Sequence, residues 1–287
     1  MMKKLIIASA LLGFFLASCS DKPNELKESI TSAEDNAMVE TQLSSVFDIL
    51  DDVASSDTKM KKTAGTILPS GALLVYTDSV FTDGDGLEFY IDFGPKGSLA
   101  PFGLLCQDGR YRSGILRATL TAPYSSIGAI LTLNIADADA YHSGDGIDMY
   151  QIIGTSVISR TEINKLTIAM TDMKVKDGLN TVTWTSNKEI VRTFDAGPGV
   201  WKDHFEITGS GSGINRNGEA FTVTIDKPLL KKVETGCAKT FVSGIITLQV
   251  TSSGKKIIVN YDPYGNGACD NLAEADINGK KTLFRVK

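Results

Sequence analysis

The sequence predicts an all-β fold, a large antiparallel sheet or sandwich built of successive hairpins and preceded by one short amphipathic helix. Three observations carry this. From about Leu73 onward apolar residues recur at every second position, as in Leu87, Phe89, Ile91 and Phe93, or Phe221, Val223 and Ile225, or Ile257, Val259 and Tyr261. That is the period of a strand with one buried face. Between such runs stand Asp177-Gly178, Asn217-Gly218, Ser253-Gly254 and Asn278-Gly279, dipeptides that supply the positive φ angles of tight hairpins. No long helical period follows residue 66, so the crossover helices that a parallel sheet needs have no source.

Residues 1–18 read as a signal peptide. Lys3 and Lys4 precede an uncharged apolar run from Leu5 to Ala17, too short to remain as a membrane span. Leu16-Ala17-Ser18-Cys19 resembles the lipobox of bacterial lipoproteins. The resemblance implies that Cys19 receives a diacylglyceryl group on sulfur, becomes the new N-terminus and is acylated again on nitrogen. Several acyl chains hold a protein stably where one is marginal, so the expected partner is the membrane, reached through the lipid on Cys19. Ser20 rather than Asp follows the cysteine, which in many Gram-negative bacteria implies the outer membrane.

Residues 19–35 are polar and charged and read as a tether. Residues 36–53 read as the amphipathic helix: Val39, Leu43, Val46, Phe47, Leu50 and Val53 form one stripe, and Glu40, Ser44, Asp48, Asp51 and Asp52 cover the other side. Asp35 or Asn36 is the expected cap. The stripe is expected to pack on the β domain, with docking to a partner protein the alternative. Residues 54–65 read as a linker, and residues 66–287 as the antiparallel β domain. Within it an aromatic residue followed by glycine recurs irregularly, at Tyr111/Gly114, Tyr150/Gly154, Phe205/Gly209 and Phe241/Gly244, the expected mark of bends in long hairpins.

The segments Cys106 to Ile115, Ile207-Thr208-Gly209, Gly213 to Gly218 and Gly267-Ala268-Cys269-Asp270-Asn271 resemble an uncharacterised β-rich lipoprotein family of Bacteroidetes-type bacteria. The resemblance covers most of residues 36–287. It implies an envelope lipoprotein with a β-rich body and brings no activity or active-site residues with it.

A formal charge of −5, more negative once Lys3 and Lys4 are removed, gives no electrostatic reason to bind nucleic acid. Apart from Cys19 the cysteines are Cys106, Cys237 and Cys269, in an oxidising compartment. Cys237 heads a strand, and Cys269 begins another at the same end, so a Cys237–Cys269 disulfide is expected. Pairing of Cys106 with either remains open, because strand order is not contained in one sequence.

The catalytic inventory is thin. His142 and His204 are the only histidines, which disfavours a multi-histidine metal site; no metal ligand set and no cofactor is expected. Gly209-Ser210-Gly211-Ser212-Gly213 lacks the Gly-Lys-Ser/Thr ending of a phosphate loop. Asp83-Gly84-Asp85-Gly86 and the group Asp137, Asp139, Asp145 and Asp148 offer calcium-type oxygens but miss the EF-hand spacing. Trp184 alternates in phase with Val182 and is expected in the core, whereas Trp201 follows the loop-like Ala196-Gly197-Pro198-Gly199 and is the candidate ligand contact. The expectation is a lipid-anchored cell-envelope protein, a non-catalytic binding or structural module whose partner is a glycan or an envelope protein. A β-rich glycoside hydrolase is the alternative, since carboxylate pairs are a three-dimensional matter.

Overall fold

A computed structural model describes residues 23–55, 67–97, 101–197 and 199–287. The signal peptide, Cys19 and nearly all of the linker 54–65 lie outside the described residues. The one α-helix among them, α1 (Pro23–Ser55), has proline at its first position, where the missing N–H costs nothing. It contains no other proline and no glycine. It begins well before residue 36, so residues 23–35, read as tether, are helical. No helix among the described residues is long and apolar enough to cross a membrane.

Among the described residues sixteen strands follow, all in one sheet. The first half comprises β1 (Leu73–Asp78), β2 (Leu87–Asp92), β3 (Leu104–Leu105), β4 (Tyr111–Ser113), β5 (Ile115–Leu120), β6 (Ile130–Ile135), β7 (His142–Gly144) and β8 (Met149–Glu162). The second comprises β9 (Lys165–Lys176), β10 (Thr181–Phe194), β11 (His204–Ile214), β12 (Ala220–Lys232), β13 (Ser243–Val250), β14 (Lys256–Asn260), β15 (Leu272–Ile277) and β16 (Lys280–Arg285). The main path runs β1-β2-β5-β6-β8 and then in chain order to β16, and β3, β4 and β7 form a side ribbon on β8. Every pairing is antiparallel. The all-β, hairpin-built class read from the sequence is what the chain forms.

The period-two runs bury as alternation requires: Leu87, Phe89 and Ile91 point inward with Glu88 outward, and Val182, Trp184, Ser186, Lys188 and Ile190 share the inner face of β10. Gly209 has φ 129°, a conformation L side chains rarely adopt. It sits where the β11–β12 register slips between Ile207 and Ser210, a bulge that bends the strand pair.

The sheet is open, with β1 and β16 at its edges, and it rolls around α1. From Ile30 to Ala54 every residue of the helix is buried except Glu34 and Ser44, which are half-buried. This corrects the amphipathic reading. The apolar stripe does pack into the core, with Phe47 edge-on to Phe205 at 6.0 Å, but Glu40, Asp48, Asp51 and Asp52 are as dry as Leu43. Strand positions in phase with the core carry basic side chains that reach Glu40, Asp48 and Asp51, and backbone N–H groups reach Asp52, which makes full burial of the helix affordable.

Candidate functional site

Charged side chains gather in the interior along α1 and at a cleft at the end of the rolled sheet where the N-terminal half of α1 enters. Along the helix the buried acids, and the Gln42 carbonyl oxygen, each meet a partner. Asp35 accepts from Arg216 Nε at 2.6 Å and from its backbone N–H at 2.7 Å, and Glu40 pairs with Lys188. Gln42 accepts from Arg110 at 3.2 Å. Lys231 Nζ lies 2.6 Å from Ser44 Oγ and 2.5 Å from Asp48. Asp51 accepts from Tyr124 and Arg192, both at 2.7 Å, and Asp52 accepts the backbone N–H groups of Ile67 at 2.8 Å and Val200 at 3.3 Å.

Burial dominates the proton affinities here. It pushes Asp48 and Asp52 up to about 6 against the pull of Lys231 on the first and the two backbone donors on the second. Asp203, which takes the Ala196 N–H at 2.7 Å and lies 3.1 Å from Arg192, is likewise pushed up to about 6 by burial. For Asp108 burial acts upward too, but two hydrogen bonds from Arg112, at 2.6 and 2.8 Å, and the nearby Arg110 outweigh it and hold the carboxyl below its ordinary range. Perturbed groups mark sites only when a substrate can reach them. These are buried: Asp48, Asp108 and Asp203 lie against cations, the geometry of paired buried charge, and Asp52 is held by backbone N–H groups.

The cleft is accessible and has a volume of about 660 Å³, within the usual range of small-molecule sites. Its inner wall is Glu34 and Met38 of α1, the Arg216 that bridges to Asp35, and Tyr150 at the start of β8. Phe102 and Ile147 add apolar surface from two loops and are 40% and 90% exposed. Cations surround it: Lys96, Lys176, Arg285 and Lys287. Lys287 lies 3.0 Å from Asp148, and Lys176 3.3 Å from Asp137.

His142 lines the same cleft. Its Nδ1–H donates to the Ala140 carbonyl at 2.6 Å, which leaves Nε2 as an acceptor in the neutral ring. Burial, against the Ala140 hydrogen bond and helped by the charge of Lys96, holds its pKa below the ordinary histidine value. Asp177 is held by Asn180, accepting from its backbone at 2.9 Å and its side chain at 3.1 Å. The arrangement can hold an anion, donate to oxygens and cover an apolar face.

Trp201 lies elsewhere. It stands past the far end of β10 beside Val200, near the C-terminal end of α1, half-buried against the core, and is not part of the cleft wall. Trp184 is buried and stacks on Phe221 with ring centres 5.8 Å apart. The Gly-rich stretch of β11 faces that indole: a Cβ on Gly211 would come within 2.4 Å of Trp184 Cζ2, so these glycines make room for a core tryptophan.

Of the acidic groups, Asp83 and Asp85 meet Asp78 with ligand oxygens within 4.8 Å of one another, on an exposed loop between β1 and β2. A hydrogen bond with Asp83 and its like charge hold the Asp85 carboxyl above its ordinary value. The second group disperses: Asp139 goes to Arg117, Asp137 to Gln151 and Lys176, Asp148 to Lys287, and Asp145 to the backbone of its own loop. Cys237, in the turn before β13, and Cys269, in the loop before β15, form a disulfide with Cα atoms 4.7 Å apart. Cys106 is free and buried.

Sequence reasoning missed the cleft. Lys96, His142, Arg216 and Lys287 come from four separate segments, and no spacing links them. The chain matches no family model, no curated protein and no solved structure.

Proposed function

We propose that this chain is a lipid-anchored cell-envelope protein, held in the outer membrane through Cys19, whose folded body is a non-catalytic binding module with the cleft as its ligand site. The observation that carries the reading is the cleft, an open, polar and apolar concavity of about 660 Å³. Support for the anchor comes from the sequence, where Leu16-Ala17-Ser18-Cys19 follows Lys3, Lys4 and an uncharged apolar run.

Support for binding without turnover comes from the cleft's acids and base. Asp177 is held within its own turn by Asn180, and His142, the one histidine among the described lining residues, has the Ala140 carbonyl and not a carboxylate on its Nδ1, so no paired acid and base is set up there for proton transfer.

The test uses the full chain produced in a bacterial envelope. Metabolic labelling with a clickable fatty acid should mark the wild type and spare Cys19→Ala; an unlabelled, soluble wild type removes the anchor. A glycan array and a pulldown from solubilised envelope should then report a ligand whose binding falls in Phe102→Ala and persists in Trp201→Ala. Glycosidic turnover that disappears in Asp148→Asn would replace the binding module with the hydrolase.

A further inference from the structure

We infer that the cleft takes an anionic oligosaccharide, one whose sugars carry carboxylate or sulfate groups. The inference rests on the binding-module reading and names its ligand class.

Charge is the first argument. The protein is acidic overall, at −5, yet five basic side chains, Lys96, Lys176, Arg216, Arg285 and Lys287, converge on this cleft against three acids, Glu34, Asp148 and Asp177. Asp35 and Asp137 offset Arg216 and Lys176, so the positive charge open to a ligand in this concave site on a negative body is that of Lys96 and Arg285, with Lys287 beside Asp148, and it favours anions there.

The second argument is which of these charges remain available. Arg216 is committed to Asp35 and sits at the wall as a fixed charge. Lys96 makes no ion pair or hydrogen bond among the described residues, and its charge is felt by His142. Arg285 spends one nitrogen on the Asp270 carbonyl at 3.1 Å, and a guanidinium has four further N–H donors for a carboxylate or sulfate. The ion pair of Lys287 with Asp148 is mostly exposed on the lysine side, at 61%, so exchange of partner costs little.

The third argument concerns the rest of the ligand. Neutral His142 offers Nε2 as an acceptor and Gln151 shares the same wall, groups suited to sugar hydroxyls. Phe102, held edge-on by Tyr111 at 5.8 Å between ring centres, presents a part-exposed aromatic surface of the kind that covers the apolar face of a sugar ring.

The test compares ligands that differ in charge and little else: a trimer of galacturonic acid, its methyl ester, and a sulfated tetrasaccharide, titrated into the full chain by calorimetry. The acid trimer or the sulfated tetrasaccharide should bind, the ester at least about tenfold more weakly than the acid, and the bound acid should weaken as salt rises from about 50 to about 500 mM. Which of the two binds identifies carboxylate or sulfate as the recognised group. Lys96→Glu combined with Arg285→Glu should abolish binding while leaving the melting temperature and circular dichroism unchanged. Equal binding of acid and ester, or no binding of either anion, overturns the inference. A neutral glycan that binds and is lost in Phe102→Ala would then preserve the binding-module reading, whereas no ligand at all on the array defeats both.

Discussion

Lys231 Nζ lies 2.5 Å from an Asp48 carboxylate oxygen, with the lysine side chain 3% exposed and the aspartate 0%. A strand and the central helix thus meet through charge, inside a core of leucine, isoleucine and phenylalanine.

Removing one partner strands the other. Lys231→Met should destabilise the fold by about 3–5 kcal/mol, whereas Lys231→Met with Asp48→Leu should recover most of the loss, since an apolar pair has no desolvation cost to repay. Urea unfolding of both variants measures this. A double variant as unstable as the single one would mean the pair acts through shape and not charge.

Asp48, Asp52 and Asp203 give stability a defined pH dependence. Each carboxyl is pushed up from an ordinary 3.8 to about 6. Between about 4 and about 6 the folded chain therefore binds more protons than the unfolded chain, and stability falls as pH rises through that window. Asp108, held below its ordinary range, works the other way, and its contribution is lost only as pH drops through its lower folded value. The melting temperature should be higher near pH 5 than near pH 7, and Asp52→Asn should narrow the difference. Calorimetric scans across this range decide it, and a melting temperature that climbs from about 5 to about 7 contradicts the assignment.

Gly211 and Trp184 should be coupled. Gly211→Ala drives a methyl to within 2.4 Å of the indole and should cost about 1–3 kcal/mol as overpacking. Trp184→Ala should cost about 3–5 kcal/mol as a cavity. The double variant should cost clearly less than the sum, because the cavity removes the clash. Additive losses would show that the glycine is needed for some other reason.

The thiols should separate sharply. Cys237 and Cys269 are 32 residues apart in sequence, and replacing both by serine should remove about 3–4 kcal/mol by loop-closure reasoning. Cys106 is buried, and burial raises its thiol pKa. It should resist a thiol-reactive chromogen in the native protein and react once in denaturant. Prompt native labelling would place it at the surface.

Much of the fold is legible in one dimension, because alternation reports which side chains share a face. Phe89 and Ile91 on β2, or Phe221 and Val223 on β12, are buried as their phase dictates. Phase does not report what lies against that face. Glu40 and Asp48 read as the wet side of a helix because water is the commonest neighbour of an acid, yet the sheet surrounds the helix and supplies Lys188 and Lys231 instead. A signal was present: Lys188 falls in phase with Trp184 and Ile190, and Lys231 with Leu229. A lysine repeated on a core phase calls for a buried acid elsewhere. The cleft had no such signal, since its walls are brought together only by the rolling of the sheet.

Enclosure of the first element by strands that come much later shapes how this chain must fold. Asn215 reaches Ser32 across 183 residues, Lys188 reaches Glu40 across 148, and the Lys287 carbonyl meets Thr41 across 246. Contacts so remote in sequence are won only after large loops close, which sets folding on the slow, millisecond-to-second side of the scale for domains rich in non-local pairing. Until those strands arrive the acids of α1 have no cations to meet. The helix takes its place only as the sheet rolls up around it, and so the assembly of the interior is one late, concerted event.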